Sequence, residues 1–143
     1  MIFSAQALFS DDQAITATAD STNVIDLGAA GTPYGGAAAF TRDVGKGAKV
    51  PVLVQVTADF NNLTSLAISI STGATTALGT KIVTQTILLA DLVAGKQISI
   101  DYLPEDITGR YLGIEYVVAG TAPSTGKITA GITMGNQSNV TGA

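Results

Sequence analysis

Hydrophobic and polar residues alternate along most of the chain, in short runs separated by turn residues. The clearest run is 110–118, which lies between the turn signals Thr108-Gly109 and Gly120. Its alternate positions are Leu112, Ile114, Tyr116 and Val118 on one face, and Tyr111, Glu115 and Val117 on the other. Because side chains of a strand point alternately to its two faces, one face is apolar and the other mixed. This pattern is typical of a strand inside a sandwich, and we expect 110–118 to be a central strand.

The other alternating runs predict about seven more strands. They are 13–19, 24–27, 50–57, 66–71, 80–87, 97–102 and 127–134. Residues 88–95 form one short helical candidate that ends at Gly95. About eight short strands separated by turns are the signature of an all-β antiparallel sandwich. The strand count fits a jelly roll with one short helix at most. An immunoglobulin-like sandwich is the alternative, and the absence of Trp and Cys gives it no support.

Three segments stand apart within what we expect to be a single domain, 1–143. Residues 1–12 form an N-terminal arm, 28–49 a long loop, and 135–143 a loose C-terminal tail. The arm contains Phe3 and Phe9, which need burial. They belong either to an edge strand on the chain's own core or to an arm lying on a neighbouring subunit.

The long loop has no hydrophobic period. Structureless loops of this length are uncommon in compact domains and are usually functional or disordered. The loop combines aromatic and cationic side chains, as expected of a contact with another protein; a loop folded back on its own sheet is the alternative. The candidate contact residues of the arm and loop are Phe3, Phe9, Tyr34, Phe40, Arg42, Lys46 and Lys49.

Composition narrows the function classes. Charged residues make up 13% of the chain, against about a quarter in ordinary soluble domains, which suits a surface covered by partners. The net charge is −4 and the seven cations form no run, so nucleic acid is not an expected partner. The start lacks the basic region of a signal peptide. No apolar run approaches the ~18 residues of a membrane span, and we expect a protein made in the cytoplasm with no membrane partner.

The sequence offers little for catalysis. It contains no His and no Cys, which removes the commonest general base, thiolate chemistry and the commonest transition-metal ligands. Asp101, Glu105 and Asp106 could supply oxygen ligands to calcium. Their spacing matches no EF-hand loop, and turn carboxylates are the simpler interpretation. We therefore expect neither an enzyme nor a cofactor.

Four stretches, in this order and at this spacing, resemble the small jelly-roll capsid cement (decoration) proteins of tailed bacteriophages. They are Thr16–Gly28, Arg42–Gly47, Pro51–Val56 and Arg110–Tyr116. The resemblance runs from about Ala14 to Met134, and the Ala- and Gly-rich insert Thr32–Phe40 departs from it. It implies a structural protein on the outer surface of the virion that binds an expanded head and clamps neighbouring coat subunits. The implied partners are the major capsid protein and further copies of the chain, as a homotrimer. No catalysis or cofactor is implied.

Two other functions remain open. One is a head-fibre or tail-associated β module, which would assemble lengthwise or bind tails. The other is a carbohydrate-binding jelly roll. Such modules usually present exposed Trp or Tyr to sugars, and this chain has no Trp and four Tyr.

Overall fold

The computed structural model describes residues 3–40, 49–105 and 107–135. The described residues form nine strands and one 3-10 turn. The strands are β1 (Phe3–Ala14), β2 (Ala19–Asp20), β3 (Ile25–Asp26), β4 (Val52–Ala58), β5 (Leu63–Gly73), β6 (Thr80–Leu88), β7 (Gln97–Ile100), β8 (Tyr111–Gly120) and β9 (Lys127–Thr133). The 3-10 turn covers Leu89–Asp91. None of the described residues form a helix long and apolar enough to span a membrane.

The strands form two antiparallel sheets, which confirms the predicted sandwich. The first sheet has the order β1-β9-β4-β7 and the second β2-β8-β5-β6, with β3 also paired to β8. Along the sequence, four antiparallel pairs lie one inside the next: β1–β9, β2–β8, β4–β7 and β5–β6. This is the order of one long hairpin folded into two sheets. The short strands β2 and β3 both pair with β8 and occupy one strand position between them. The nine strands therefore fill the eight strand positions of a jelly roll.

The core lies between the two sheets, and alternation along the strands supplies it. Val52, Val54 and Val56 of β4 face the core from the first sheet and are fully buried. Leu66, Ile68 and Ile70 of β5 face it from the second sheet. Strand β8 lies between β2 and β5, and its Leu112, Ile114 and Tyr116 are buried. The prediction that this segment is a central strand is confirmed.

The predicted strand 13–19 is wrong, because the chain turns from one sheet to the other within it. Strand β1 ends at Ala14 and β2 begins at Ala19. Ile15 is fully buried between them, and its amide donates to the carbonyl of Gly126 (3.1 Å). Alternation of Thr and Ala cannot distinguish a strand from such a corner, since both residue types fit exposed turns.

The connections at 15–18, 59–62, 89–96 and 121–126 come together at one end of the sandwich, which we call the closed end. The side chains of Phe60 and Leu92 are buried at this end, and the amide of Phe60 donates to the carbonyl of Leu92 (3.1 Å). The Asn61 carboxamide bonds to the hydroxyl and the amide of Ser124, both at 2.8 Å. Together with the bond from Ile15 to Gly126, these bonds join the four connections to one another.

Candidate interaction surface

The opposite end of the sandwich carries the connections 27–51, 74–79 and 101–110, and we call it the loop end. Backbone hydrogen bonds tie the first and the last of these connections together at their roots. The amide of Leu27 donates to the carbonyl of Arg110 (2.8 Å), and that of Leu103 to the carbonyl of Val50 (3.1 Å). The long loop between β3 and β4 therefore leaves from, and returns to, a fixed base.

An ion pair fixes the start of the long loop. Arg110 donates from Nε and Nη2 to the two carboxylate oxygens of Asp26, at 2.8 and 2.7 Å. Asp26 Oδ1 also accepts the amide of Gly28 at 2.8 Å. The hydrogen bonds to Asp26 raise the pKa of Arg110 above its usual value, so the guanidinium stays charged at any working pH. Gly28 has φ +81°, which lets the chain turn away from β3 directly after the pair.

Beyond this root, the long loop forms a narrow projection. The amide of Phe40 donates to the carbonyl of Gly31 (3.1 Å), and that of Gly36 to the carbonyl of Pro33 (2.9 Å). The second bond closes a turn with Tyr34 and Gly35 at its tip. No residue from 28 to 40 is charged, and 29–40 are exposed apart from the half-buried Pro33. The projection is thus held by its own backbone while its apolar side chains face solvent.

Among the described residues, four large apolar side chains are exposed at the loop end. They are Tyr34 (109% exposed relative to the reference state), Met134 (94%), Phe40 (66%) and Tyr102 (57%). A shallow depression of about 330 Å³ lies at the same end, and Lys49, Pro51, Asp101, Met134 and Gly135 line it. Exposed apolar groups gathered in one region, with few charges, are typical of protein-binding surfaces.

The side chains of the loop end have properties suited to binding. Within 3–40, 49–105 and 107–135, no three Asp or Glu residues lie close enough together to hold a metal ion. Asp106, one of the three residues considered for calcium, lies outside the described residues. Tyr and Phe are rigid anchors that bury much apolar area at low conformational cost, and this is the property that the loop end offers.

The seven residues expected at a contact fall in different places. Tyr34, Phe40 and Lys49 are exposed at the loop end. Phe3 is half-buried in β1, and its ring lies over Gly131 on the outer face of the first sheet, where an added Cβ would meet it at 3.1 Å. Arg42 and Lys46 lie outside the described residues.

The expectation for Phe9 is corrected. Its side chain is fully buried in the core and cannot reach a partner. From Phe3 onward the arm belongs to β1, paired antiparallel with β9 at the edge of the first sheet. Of the two alternatives for the arm, the structure therefore shows the edge strand. Phe9 is buried in the core of its own chain, so its burial does not require a neighbouring subunit.

Sequence reasoning missed Tyr102 and Met134 as surface residues. Period-two alternation placed them on the inward faces of their strands, in line with Ile100 and Ile132. The strands end first, since β7 stops at Ile100 and β9 at Thr133. The available signal was the turn residue that follows each of them, Pro104 and Gly135.

The Bbp16 family model matches residues 9–132, nearly the whole sandwich. The chain belongs to the Bbp16 family. No curated protein matches it. In this Bbp16 member the match covers every strand from the second half of β1 to β9. Of the exposed residues at the loop end, Tyr34, Phe40, Lys49 and Tyr102 lie inside the matched range and Met134 just beyond it.

The closed end of this Bbp16 member contrasts with the loop end. Asp12 accepts hydrogen bonds from Lys127 Nζ (2.6 Å) and Thr57 Oγ1 (2.7 Å). The bond from Lys127 lowers the pKa of Asp12, and that from Thr57 adds to the effect. Asp12 and Asn61 thus both bond within the chain near the closed end. Leu88 (59% exposed) and Val93 (49%) are apolar and exposed there, so the loop end differs by its larger set, Tyr34, Phe40, Tyr102 and Met134.

Proposed function

We propose that the protein is a capsid decoration protein, which binds the outer surface of an expanded phage head through its loop end and clamps neighbouring coat subunits. The observation that carries this proposal is the exposed, uncharged projection 29–40 together with Tyr102 and Met134 at the same end. The resemblance of four sequence stretches to phage cement proteins supplies the partner, the major capsid protein.

The chemistry of the loop end suits a large, flat protein partner. The core of a protein interface is depleted in charge and enriched in Tyr, Phe and Met. Tyr34 at the tip of the projection can enter a groove between two coat subunits. Tyr102 and Met134, at the rim of the sandwich, can then rest on the adjoining surface. The root at Asp26 and Arg110 limits the motion of the projection, so less freedom is lost on binding.

Cement action follows from mass action. A protein that binds only the expanded lattice stabilises that lattice by its own binding free energy. Many copies, each touching more than one coat subunit, add avidity. A sandwich whose sheets pack around one core transmits load between such contacts without deforming. The acidic balance of the chain, −4, also fits the outside of a shell whose interior holds DNA.

The location on the virion surface and the homotrimer stay predictions. The homotrimer rests on the resemblance to cement proteins, and sedimentation of the purified protein measures it directly. Binding to heads is a separate property and needs its own assay.

The test of the proposal is binding of purified protein to expanded heads that lack their decoration protein. Because Tyr34 and Phe40 would be buried at the contact, we expect the double variant Tyr34→Ala/Phe40→Ala to raise the Kd at least about tenfold. Val93→Ala is the matched control, since Val93 is a half-exposed apolar residue near the closed end. It should bind as the wild type does. Equal binding by the double variant and the wild type would refute the loop end as the contact.

Carbohydrate binding is the second candidate, favoured by one observation. Tyr34 and Tyr102 are both exposed at the loop end, and exposed tyrosines can stack on sugar rings. A glycan array with the purified protein tests this candidate. A saturable hit that Tyr34→Ala removes would support it over the capsid proposal.

A further inference from the structure

The outer edge of β6 has no strand beside it in the described part of the chain. β6 pairs only with β5, and none of its nine residues is fully buried. Ile82, Val83 and Ile87 pack against the core yet remain partly exposed. The edge therefore leaves a row of backbone donors and acceptors open and apolar side chains half covered.

The other sheet edges carry features that discourage pairing with another chain. β1 has three shifts of register and contains Asp11 and Asp12. β7 has four residues, and β2 and β3 have two each. In β6 the single irregularity lies near Lys81, which leaves Val83–Leu88 regular. Bulges, charges, proline and shortness protect natural edges, and Val83–Leu88 has none of these.

We propose that this edge is an interface, and that its occupant is β6 of a second copy. The two strands run antiparallel about a two-fold axis at Gln85 and join the two second sheets into one. This self-association goes beyond the proposed binding to heads.

The faces of β6 fit this register. Val83, Gln85 and Ile87 pair with the core residues Ile70, Ile68 and Leu66 of β5, so they face the core side, and Thr84 and Thr86 face outward. The axis at Gln85 places Thr84 of one copy opposite Thr86 of the other on the outer face. On the core side it places Val83 opposite Ile87. Pairs of Thr with Thr and of β-branched apolar residues are favourable across antiparallel strands.

The charges fit as well. Lys81 is the only charged residue of β6. In an isologous pairing each residue meets its counterpart across the axis. In this register Lys81 lies opposite Leu89 of the second copy, and its ammonium pairs with Glu115 of its own chain (3.1 Å). No two lysines meet across the axis. The run Val83–Ile87 also reads nearly the same in both directions about Gln85, so a second copy is a complementary occupant.

The test uses two double variants of the full chain that differ only at position 86, in the sign of its charge. Thr84→Lys/Thr86→Lys places like charges opposite each other across the axis, twice. Thr84→Lys/Thr86→Glu places opposite charges there. Both lose the hydrogen bond between Thr84 and Ser69 (2.8 Å), so they are matched for that effect. Circular dichroism checks that both retain the sheet content of the wild type.

Sedimentation equilibrium gives the masses. The pairing predicts the wild type at twice the chain mass of 14.4 kDa, whereas the homotrimer implied by the resemblance to cement proteins would have three times that mass. It predicts the Lys/Lys variant as a monomer and the Lys/Glu variant as a dimer. A monomeric or trimeric wild type would overturn the pairing. So would two variants that dissociate alike, or a Lys/Lys variant that keeps the wild-type mass. Binding to heads is scored separately, so failure of the pairing leaves the capsid proposal standing, and the reverse.

Discussion

At the residue scale, Tyr116 carries an ionisable hydroxyl into the core. It is fully buried, and its hydroxyl lies 2.8 Å from Ser10 Oγ. Ser10 donates its one proton to Gln13 Oε1 (2.7 Å), so Tyr116 donates to Ser10. Gln13 in turn donates to the carbonyl of Asp20 and accepts the amide of Thr22, both at 2.9 Å. The network joins β1, β2 and β8 across the corner at 15–18.

This network predicts a loss of stability at alkaline pH. Burial raises the pKa of Tyr116, so the native state favours the protonated form. The contribution is present below the unfolded pKa of about 10 and is lost as pH rises above it. Urea unfolding from about pH 8 to about pH 11 should show this loss in the wild type and a smaller loss in Tyr116→Phe.

The variant also provides the control for this prediction. At neutral pH, Tyr116→Phe should cost only about 1 kcal/mol, because Ser10 keeps Gln13 as its partner. If the wild type and the variant lost stability equally between the two pH values, Tyr116 would not be the titrating group.

Alternation in the sequence predicts which residues of a strand are buried, but not the hydrogen bonds that buried polar residues make. The inward positions of β4, β5 and β8 follow from the sequence, because burial of every second side chain leaves a readable pattern. The network of Ser10, Gln13 and Tyr116 does not follow from it. It depends on contacts between residues 106 positions apart, which depend in turn on the pairing of β1, β2 and β8.

At the element scale, the connection 121–126 closes the sandwich against Phe60. A Cβ on Gly126 would collide with the Phe60 ring. The residue also has φ +130°, which side chains rarely adopt. Glycine is thus required there by both packing and backbone conformation.

We expect Gly126→Ala to lower the free energy of unfolding by at least about 2 kcal/mol, since overpacking and backbone strain act together. Gly79→Ala is the control, because nothing lies within 4 Å of the Cβ it would add, and it should change stability by less than about 0.5 kcal/mol. Urea denaturation measures both. Equal stability of the two variants would show that the closed end yields to the added methyl group.

The elements also show where prediction from sequence stops. The long loop was recognised by its missing period and by Tyr34 and Phe40, so part of the candidate surface was predictable. The exposure of Tyr102 and Met134 was not predictable, because the residue at which a strand ends depends on the strands that pair with it. Phe9 was misplaced for a related reason: an apolar residue in a terminal segment has the same sequence signature whether its own core or a neighbour buries it.

At the scale of the whole molecule, the two ends of the jelly roll differ in how their connections are held and in what they expose. The closed end is held by Phe60, Leu92 and the hydrogen bonds of Asn61. The loop end exposes Tyr34, Phe40, Tyr102 and Met134 above a base fixed by Asp26 and Arg110. Under the capsid proposal, this body would bridge coat subunits through its loop end.

Cryo-electron microscopy of expanded heads mixed with the purified protein tests the capsid proposal most directly. We expect ordered density for a jelly roll on the outer surface, with the loop end toward the shell and Tyr34 buried against coat protein. Heads without ordered density, or density in which the closed end faces the shell, would contradict it.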